Sequence, residues 1–179
     1  MLCLDLGLNC VIDVGANTGQ FARSLRRHGY RGRIVSFEPV PSAYAVLARQ
    51  AARDSAWLVQ PFALGASAEK RVMQASEKGD TTSSLRSASQ FGQEQLPSLR
   101  DTHSLTVVVE RLDAVFAECV KGLSNPRVYL KLDTQGWDLE VLKGTTECLN
   151  HVVALQSEMA VHPLYDGSPV EPLILWTLG

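Results

Sequence analysis

The stretch Val11–Gln20, VIDVGANTGQ, constrains the fold more than any other part of the chain. Val11 and Ile12 read as the end of a buried parallel strand and Asp13 as its polar tip. Gly15, Ala16, Asn17 and Gly19 form a turn of small residues, and Phe21, Ala22 and Leu25 then supply the apolar stripe of a helix. Strand, glycine turn and helix in that order make a ligand cradle: glycines let the backbone approach a bound molecule, and N–H groups at a helix start favour a carboxylate or phosphate. Asp13 decides between these, because a strand-tip carboxylate repels a pyrophosphate but accepts a hydrogen bond from an ammonium group. An amino-acid-like ligand fits this cradle better than a dinucleotide, with Asp13, Gly15, Ala16, Asn17 and Gly19 as its binding residues.

The following segments extend the same architecture. The helix should run from about Thr18 to His28, with Gly29 as its stop. Arg33–Phe37 reads as a second strand with Glu38 at its tip, 19 residues beyond Gly19. In doubly wound nucleotide-binding folds the acid at this position takes ribose hydroxyls. Pro39 and Pro41 forbid continuation of a helix or central strand, and Ser42 is the expected cap of a helix with Ala43, Val46, Leu47 and Ala51 on its apolar face. Trp57–Gln60 is a third strand. The turn after it would bring Phe62, Ala63 and Leu64 against an adenine, although Phe62 serves equally well as core.

Ser76–Ser104 changes composition to serine, threonine, glutamine and glycine, which predicts a polar insert or lid at about 76–104. Its TTSSL run, Thr81–Leu85, offers hydroxyls to a polar ligand. Leu105–Val109 returns to a strand pattern, and Asp113 is placed to cap a helix through about Val120. Val128–Leu132 is the next buried strand, tipped by Asp133; Trp137, Val141 and Leu142 form one face of a helix; Val152–Leu155 is a fifth core strand, followed by Gln156, Ser157 and Glu158. His162, Pro163, Tyr165, Asp166, Gly167 and Pro169 make a loop. The apolar Leu173–Leu178 stands where a doubly wound sheet would need further strands, so the expectation is a chain truncated at the C-terminus.

Length and charge bound the rest. With 179 residues, 45 % hydrophobic and 20 % charged, a single globular domain over 1–179 is expected. A net charge of −2 leaves no basic footprint for nucleic acid, and Arg23, Arg26, Arg27, Arg31 and Arg33 read as one solvated helix face and its exit. No run approaches the roughly 20 apolar residues of a membrane span, and Met1–Cys10 lacks the pattern of a signal peptide, so the expected location is cytoplasmic with no membrane partner. Cys3, Cys10, Cys119 and Cys148 are scattered, without CxxC or a companion histidine, and read as small buried hydrophobes in a reducing compartment.

VIDVGANTGQ, SFEPVP, PFALG, TTSSL, LKLDTQGWDLEVLKG and the HPLYDG loop, in this order and spacing, resemble the FkbM-type S-adenosylmethionine-dependent methyltransferases. The resemblance implies the class I methyltransferase fold, an α/β, doubly wound, mostly parallel Rossmann-like sheet of seven strands, the first five of which this chain contains. It implies S-adenosylmethionine as cofactor, S-adenosylhomocysteine as product, and O-methylation of a hydroxyl on a sugar or natural-product-like small molecule. At matching positions, Asp13, Gly15, Asn17 and Gly19 fall on the first cofactor motif, Glu38 on the ribose acid, Ala63 and Leu64 on the adenine turn, and Asp133 on the segment beside the transferring methyl. Gln135 departs from the glutamate that many members carry.

An alcohol acceptor must lose its proton, and the candidate catalytic residues are Asp133, Glu158 and His162, with Asp133 or His162 favoured. The same three would also hold a Mg²⁺, but nothing in their spacing demands one, and no metal site is assigned. Two rival readings remain. A Rossmann-type NAD-dependent oxidoreductase is disfavoured because Gly15, Asn17 and Gly19 do not make GxGxxG. The other is an inactive cofactor-binding or scaffold domain.

Overall fold

A strand buried on both faces must be apolar nearly throughout, and β1 (Cys10–Val14, CVIDV) meets that condition everywhere except Asp13. The computed structural model describes residues 6–76, 83–96, 99–100, 102–157 and 164–167. In it β1 pairs in parallel with β2 (Arg33–Phe37) on one side and with β7 (Val128–Leu132) on the other. β3 (Trp57–Gln60) extends the sheet beyond β2, and β8 (Val152–Ser157) extends it beyond β7. The order is β3-β2-β1-β7-β8, parallel throughout. This is the doubly wound α/β sheet that the apolar runs predict.

Side chains alternate across the sheet, which divides the core in two. Ile12, Val14, Val35, Phe37, Leu130 and Leu132 face α4 (Leu112–Cys119) and a smaller second sheet. Val11, Ile34, Tyr129 and Ala154 face the opposite way, against Ala22 and Leu25 of α1 (Gln20–Arg27) and Leu47 and Ala51 of α2 (Pro41–Ala51). Asp13 and Lys131, register partners in β1 and β7, share this second face.

Helix ends differ from expectation in instructive ways. α1 begins at Gln20, because Gly19, at φ +86°, takes the N-cap position in a left-handed conformation; a Cβ there would stand 2.9 Å from the ring of Trp57. Ser42 caps nothing: Val40 is the N-cap of α2 and Pro41 opens it, a position where a missing N–H costs nothing. Asp113 likewise does not cap its own helix. It lies one residue inside α4, and its Oδ1 accepts the Glu147 and Cys148 N–H groups, tying α4 to the turn before β8.

The stretch expected as a polar insert, about 76–104, is flanked by two strands of a second sheet, and its described residues carry two isolated bridges and a short helix. β5 (Glu69–Ser76) runs antiparallel to β6 (Thr102–Glu110), and β4 (Ala63–Leu64) joins β6 in parallel, giving a second sheet of order β4-β6-β5. β6 thus begins at Thr102, ahead of the expected Leu105. Ser84 bridges to Gln74, Ala88 bridges to Tyr165, and Ser89 caps the short α3 (Gln90–Gln95) by accepting the Gly92 N–H. Only alternate residues of this ribbon turn inward, Met73, Ala75, Val107 and Val109, while Val72 and Val108 remain exposed. Thr81 and Thr82 lie outside the described residues.

α5 (Asp138–Lys143) follows β7 after a tight turn. Among the described residues no helix is long and apolar enough to cross a membrane. Cys10, Cys119 and Cys148 are buried free thiols, and burial pushes each up to about 12, so they stay protonated and inert; Cys3 lies outside the described residues.

Candidate active site

The chain leaves β1 toward β2 on one side and receives β7 on the other, and open α/β sheets place ligands at the carboxyl edge where such a reversal occurs. A cleft of about 280 Å³ opens at this edge. One wall carries Val14, Gly15, Ala16 and Asn17 after β1. Phe37, Glu38 and Val40 follow β2, with Ala63 and Leu64 beside them. Lys131, Asp133, Thr134, Gln135 and Trp137 form the β7 side, and Met73, Ser83 and Leu85 reach it from the second sheet and the segment after it.

Gly15 is dictated by close approach. Its φ is +77°, and a Cβ there would lie 2.0 Å from the Asp133 carbonyl oxygen, so the turn after β1 and the turn after β7 touch backbone to backbone. The turn is also internally saturated. The Gly15 and Ala16 N–H groups both donate to the Phe37 carbonyl (3.1 and 3.0 Å), Asn17 N–H to Glu38 Oε2 (2.8 Å), Thr18 N–H to Asn17 Oδ1 (2.6 Å) and Gly19 N–H to the Ala16 carbonyl (2.9 Å). From Gly15 to Gly19 the cradle is therefore not an array of open N–H groups waiting for an anion, which leaves the first turn of α1 as its nearest backbone donors.

Glu38 is 6 % exposed yet lines the cleft. Each carboxylate oxygen accepts one backbone N–H, Oε2 from Asn17 and Oε1 from Val40, both at 2.8 Å. A carboxylate offers about four acceptor positions, so roughly two remain for ligand hydroxyls. Burial pushes its pKa up to about 7, against the pull of the two backbone N–H groups and with some help from Asp13.

Asp13 stands behind the cleft rather than in its wall. It is fully buried, and its ammonium partner is the chain's own Lys131, whose Nζ lies 3.0 Å from Asp13 Oδ1. Burial pushes the Asp13 carboxyl upward and the Lys131 ammonium pulls it back. The same ammonium donates to Asp133 Oδ2 at 3.2 Å and lies 5.2 Å from the centre of the Phe21 ring. Burial works against the charge on Lys131, but the two carboxylates more than offset it and raise its pKa, so it remains an ammonium.

Asp133 is held from both sides: by Lys131 on Oδ2 and by the Gln135 amide on Oδ1 (3.0 Å). Gln135, a non-glycine at φ +52°, also accepts the Tyr165 hydroxyl at 3.1 Å, and its carbonyl accepts Ser84 Oγ–H at 2.7 Å. The Arg86 guanidinium donates to the Gly136 carbonyl at 2.8 Å, and buried Asp138 accepts Thr134 N–H at 3.0 Å and the Ser157 hydroxyl. The turn after β7 is thus bonded at four consecutive residues, Asp133 to Gly136, by Lys131, Asp138, Tyr165, Ser84 and Arg86 among others.

Of the residues expected at the site, Gly15, Ala16, Asn17, Glu38, Ala63, Leu64 and Asp133 line one cleft. Gly19 does not; it shapes the turn and packs on Trp57. Phe62 does not either, and instead meets Phe37 edge-to-face at 5.5 Å as part of the core. Glu158 and His162 lie outside the described residues. Lys131 escaped sequence reasoning although its signal was present: a lysine inside the otherwise apolar strand VYLKL must have a counter-charge. Trp137, read as a helix-face residue, is a cleft residue flanked by the Arg71 and Arg86 guanidiniums at 4.4 and 5.2 Å. Among the described residues no three His, Cys, Asp or Glu side chains cluster as a metal site.

The profile of the Methyltransferase FkbM domain matches residues 13–159, from Asp13 behind the cleft to the end of β8 and just beyond. A protein of Beauveria bassiana (strain ARSEF 2860) named Methyltransferase 1 is 25 % identical over 145 residues, which are 75 % of this chain and 57 % of that protein. The chain therefore spans little more than half the length of this curated relative. No solved structure matches it. The matched region carries both halves of the cleft, and through it the chain belongs to the FkbM methyltransferase domain family.

Proposed function

We propose that the cleft binds S-adenosylmethionine and that the protein methylates a hydroxyl of a small molecule, a sugar or a natural-product-like scaffold. The observation that carries the reading is Glu38: a buried carboxylate at the end of β2, held in place by two backbone N–H groups and still offering acceptor positions to the cleft. A ribose diol is a ligand with two adjacent donors for such a group. Phe37, Val40, Ala43, Ala63 and Leu64 give an apolar bed beside it, suited to a purine face. The departure of Gly15, Asn17 and Gly19 from GxGxxG supports this cofactor over a dinucleotide.

S-adenosylmethionine supplies, when bound, an electrophilic methyl on a sulfonium. The protein's part is then alignment, which is worth roughly 7–11 kcal/mol where the geometry is good, and management of the acceptor's proton. Asp133 is the described carboxylate placed for the proton: it lines the cleft, and Lys131 and Gln135 fix its two oxygens.

Titration calorimetry with S-adenosylhomocysteine tests the assignment. Glu38→Ala removes charged hydrogen bonds worth roughly 1.5–3 kcal/mol each, so affinity should fall at least tenfold. Unchanged affinity would remove Glu38 from the ribose, and a melting temperature raised by NAD but not by S-adenosylhomocysteine would replace the cofactor.

A further inference from the structure

We infer that Lys131 reads the amino-acid end of the cofactor, donating an ammonium N–H to its α-carboxylate. This deepens the cofactor reading above and rests on it. The first support is the saturation of the turn after β1. From Gly15 to Gly19 every backbone N–H is already bonded within the protein, so a carboxylate tail finds no donor there. The second is the ammonium itself: Lys131 lines the cleft, an ammonium has three N–H donors, and among the described residues only Asp13 and Asp133 accept from it.

The sheet sets the distance. β2 and β7 flank β1, so Glu38 and Lys131 stand two strand spacings apart across the sheet and two residues apart along it, roughly 12 Å. A ligand with its ribose at Glu38 lies across Gly15, with its far end beside Lys131. The charges there select the kind of far end. A cation flanked by two carboxylates is a poor site for a phosphate, which would face Asp13 and Asp133 as well as Lys131. A zwitterion brings its own ammonium to offset the two carboxylates while its carboxylate takes the remaining N–H. Lys131 is in this role a specificity residue for an α-amino acid tail.

Two probes isolate the tail. S-adenosylhomocysteine carries it; 5′-methylthioadenosine keeps the nucleoside and thioether and lacks it. Calorimetry should show the wild-type protein binding the first at least tenfold more tightly. Lys131→Met should weaken S-adenosylhomocysteine by roughly tenfold to a hundredfold, the loss of a hydrogen bond to a charged group, and leave 5′-methylthioadenosine within about twofold, as loss of tail contacts alone requires. Because the single change strands the Asp13 carboxylate in the core, the same ratio is to be measured in Asp13→Asn/Lys131→Met against Asp13→Asn alone, where no buried charge is left without a partner. A ratio that survives in both backgrounds, or equal loss of both probes in both, overturns the inference and gives the tail to other donors, such as the first turn of α1. A wild-type protein that binds neither probe overturns the cofactor reading itself, a different result from either.

Discussion

Glu38 should make the protein less stable as the pH rises from weakly acid to neutral, and Glu38→Gln should abolish that dependence. Burial moves the carboxyl from its ordinary 4.5 to about 7. Between these values the folded protein keeps a proton that the unfolded chain has released. Stability therefore falls with rising pH across the window and is level above it. At about 1.4 kcal/mol per pH unit, the window is worth about 3 kcal/mol. Glutamine does not titrate, but its amide replaces one carboxylate oxygen, so either the Asn17 or the Val40 N–H loses its acceptor, at about 1–3 kcal/mol. That loss is independent of pH and shifts one curve bodily, without altering its slope. The measurable quantity is thus the difference between the two proteins, followed by urea or thermal unfolding from pH 4.5 to 7.5. Wild type should lose about 3 kcal/mol relative to Glu38→Gln over this range, or about 6–12 °C in Tm at the 2–4 °C per kcal/mol usual for this size. Parallel curves would mean that the buried carboxylate titrates normally, and the account of Glu38 as a desolvated, preset acceptor would be refuted.

Two further outcomes follow from the turns after β1 and β7. Gly15→Ala should cost about 3 kcal/mol or more in urea unfolding, combining left-handed backbone strain with a methyl driven into the Asp133 carbonyl, whereas Gly122→Ala, at φ +83° with nothing within 4 Å, should cost only about 1–2 kcal/mol; equal losses would deny the backbone contact. Asp133→Asn should reduce kcat on a competent hydroxylated acceptor about a hundredfold while moving Tm by no more than a few degrees, because its ion pair with Lys131 is partly solvated; undiminished turnover would place the proton acceptor elsewhere.

The central sheet was legible because strands covered on both faces have little freedom in composition. Arg33–Phe37, Trp57–Gln60 and Val128–Leu132 occupy the ranges that their apolar runs predict. Glu38 and Asp133 were legible for a related reason: an acid directly after such a run must emerge at the carboxyl edge, where ligands sit. Of the second sheet only Leu105–Val109 was legible; β5 was not, since it covers one face, and two inward residues, Met73 and Ala75, among charged and polar neighbours leave too faint an alternation. The environment of Asp13 was hidden too. Its partner Lys131 is 118 residues away, and pairing at that range is decided by strand order, which no local pattern reports. Gly19 and Phe62 show the converse difficulty, because residues that shape a site and residues that line it follow the same local pattern.

The place of β1 between β2 and β7 has a consequence for the order in which the molecule assembles. Cys10 pairs with Arg33 in β2 through a short excursion of chain, but with Val128 in β7 only after a loop about five times longer has closed. On loop-closure entropy alone the second pairing is dearer by about 1.4 kcal/mol. During synthesis β1, β2 and β3 also emerge well before β7 exists. The side of the cleft that carries Glu38 can thus form early and locally, while the side that carries Lys131 and Asp133 arrives with a late, long-range docking step. Until β7 docks, Asp13 lies at an open strand edge where water can hydrate it. Its burial becomes tolerable only when Lys131 arrives, which couples completion of the charged half of the site to completion of the sheet.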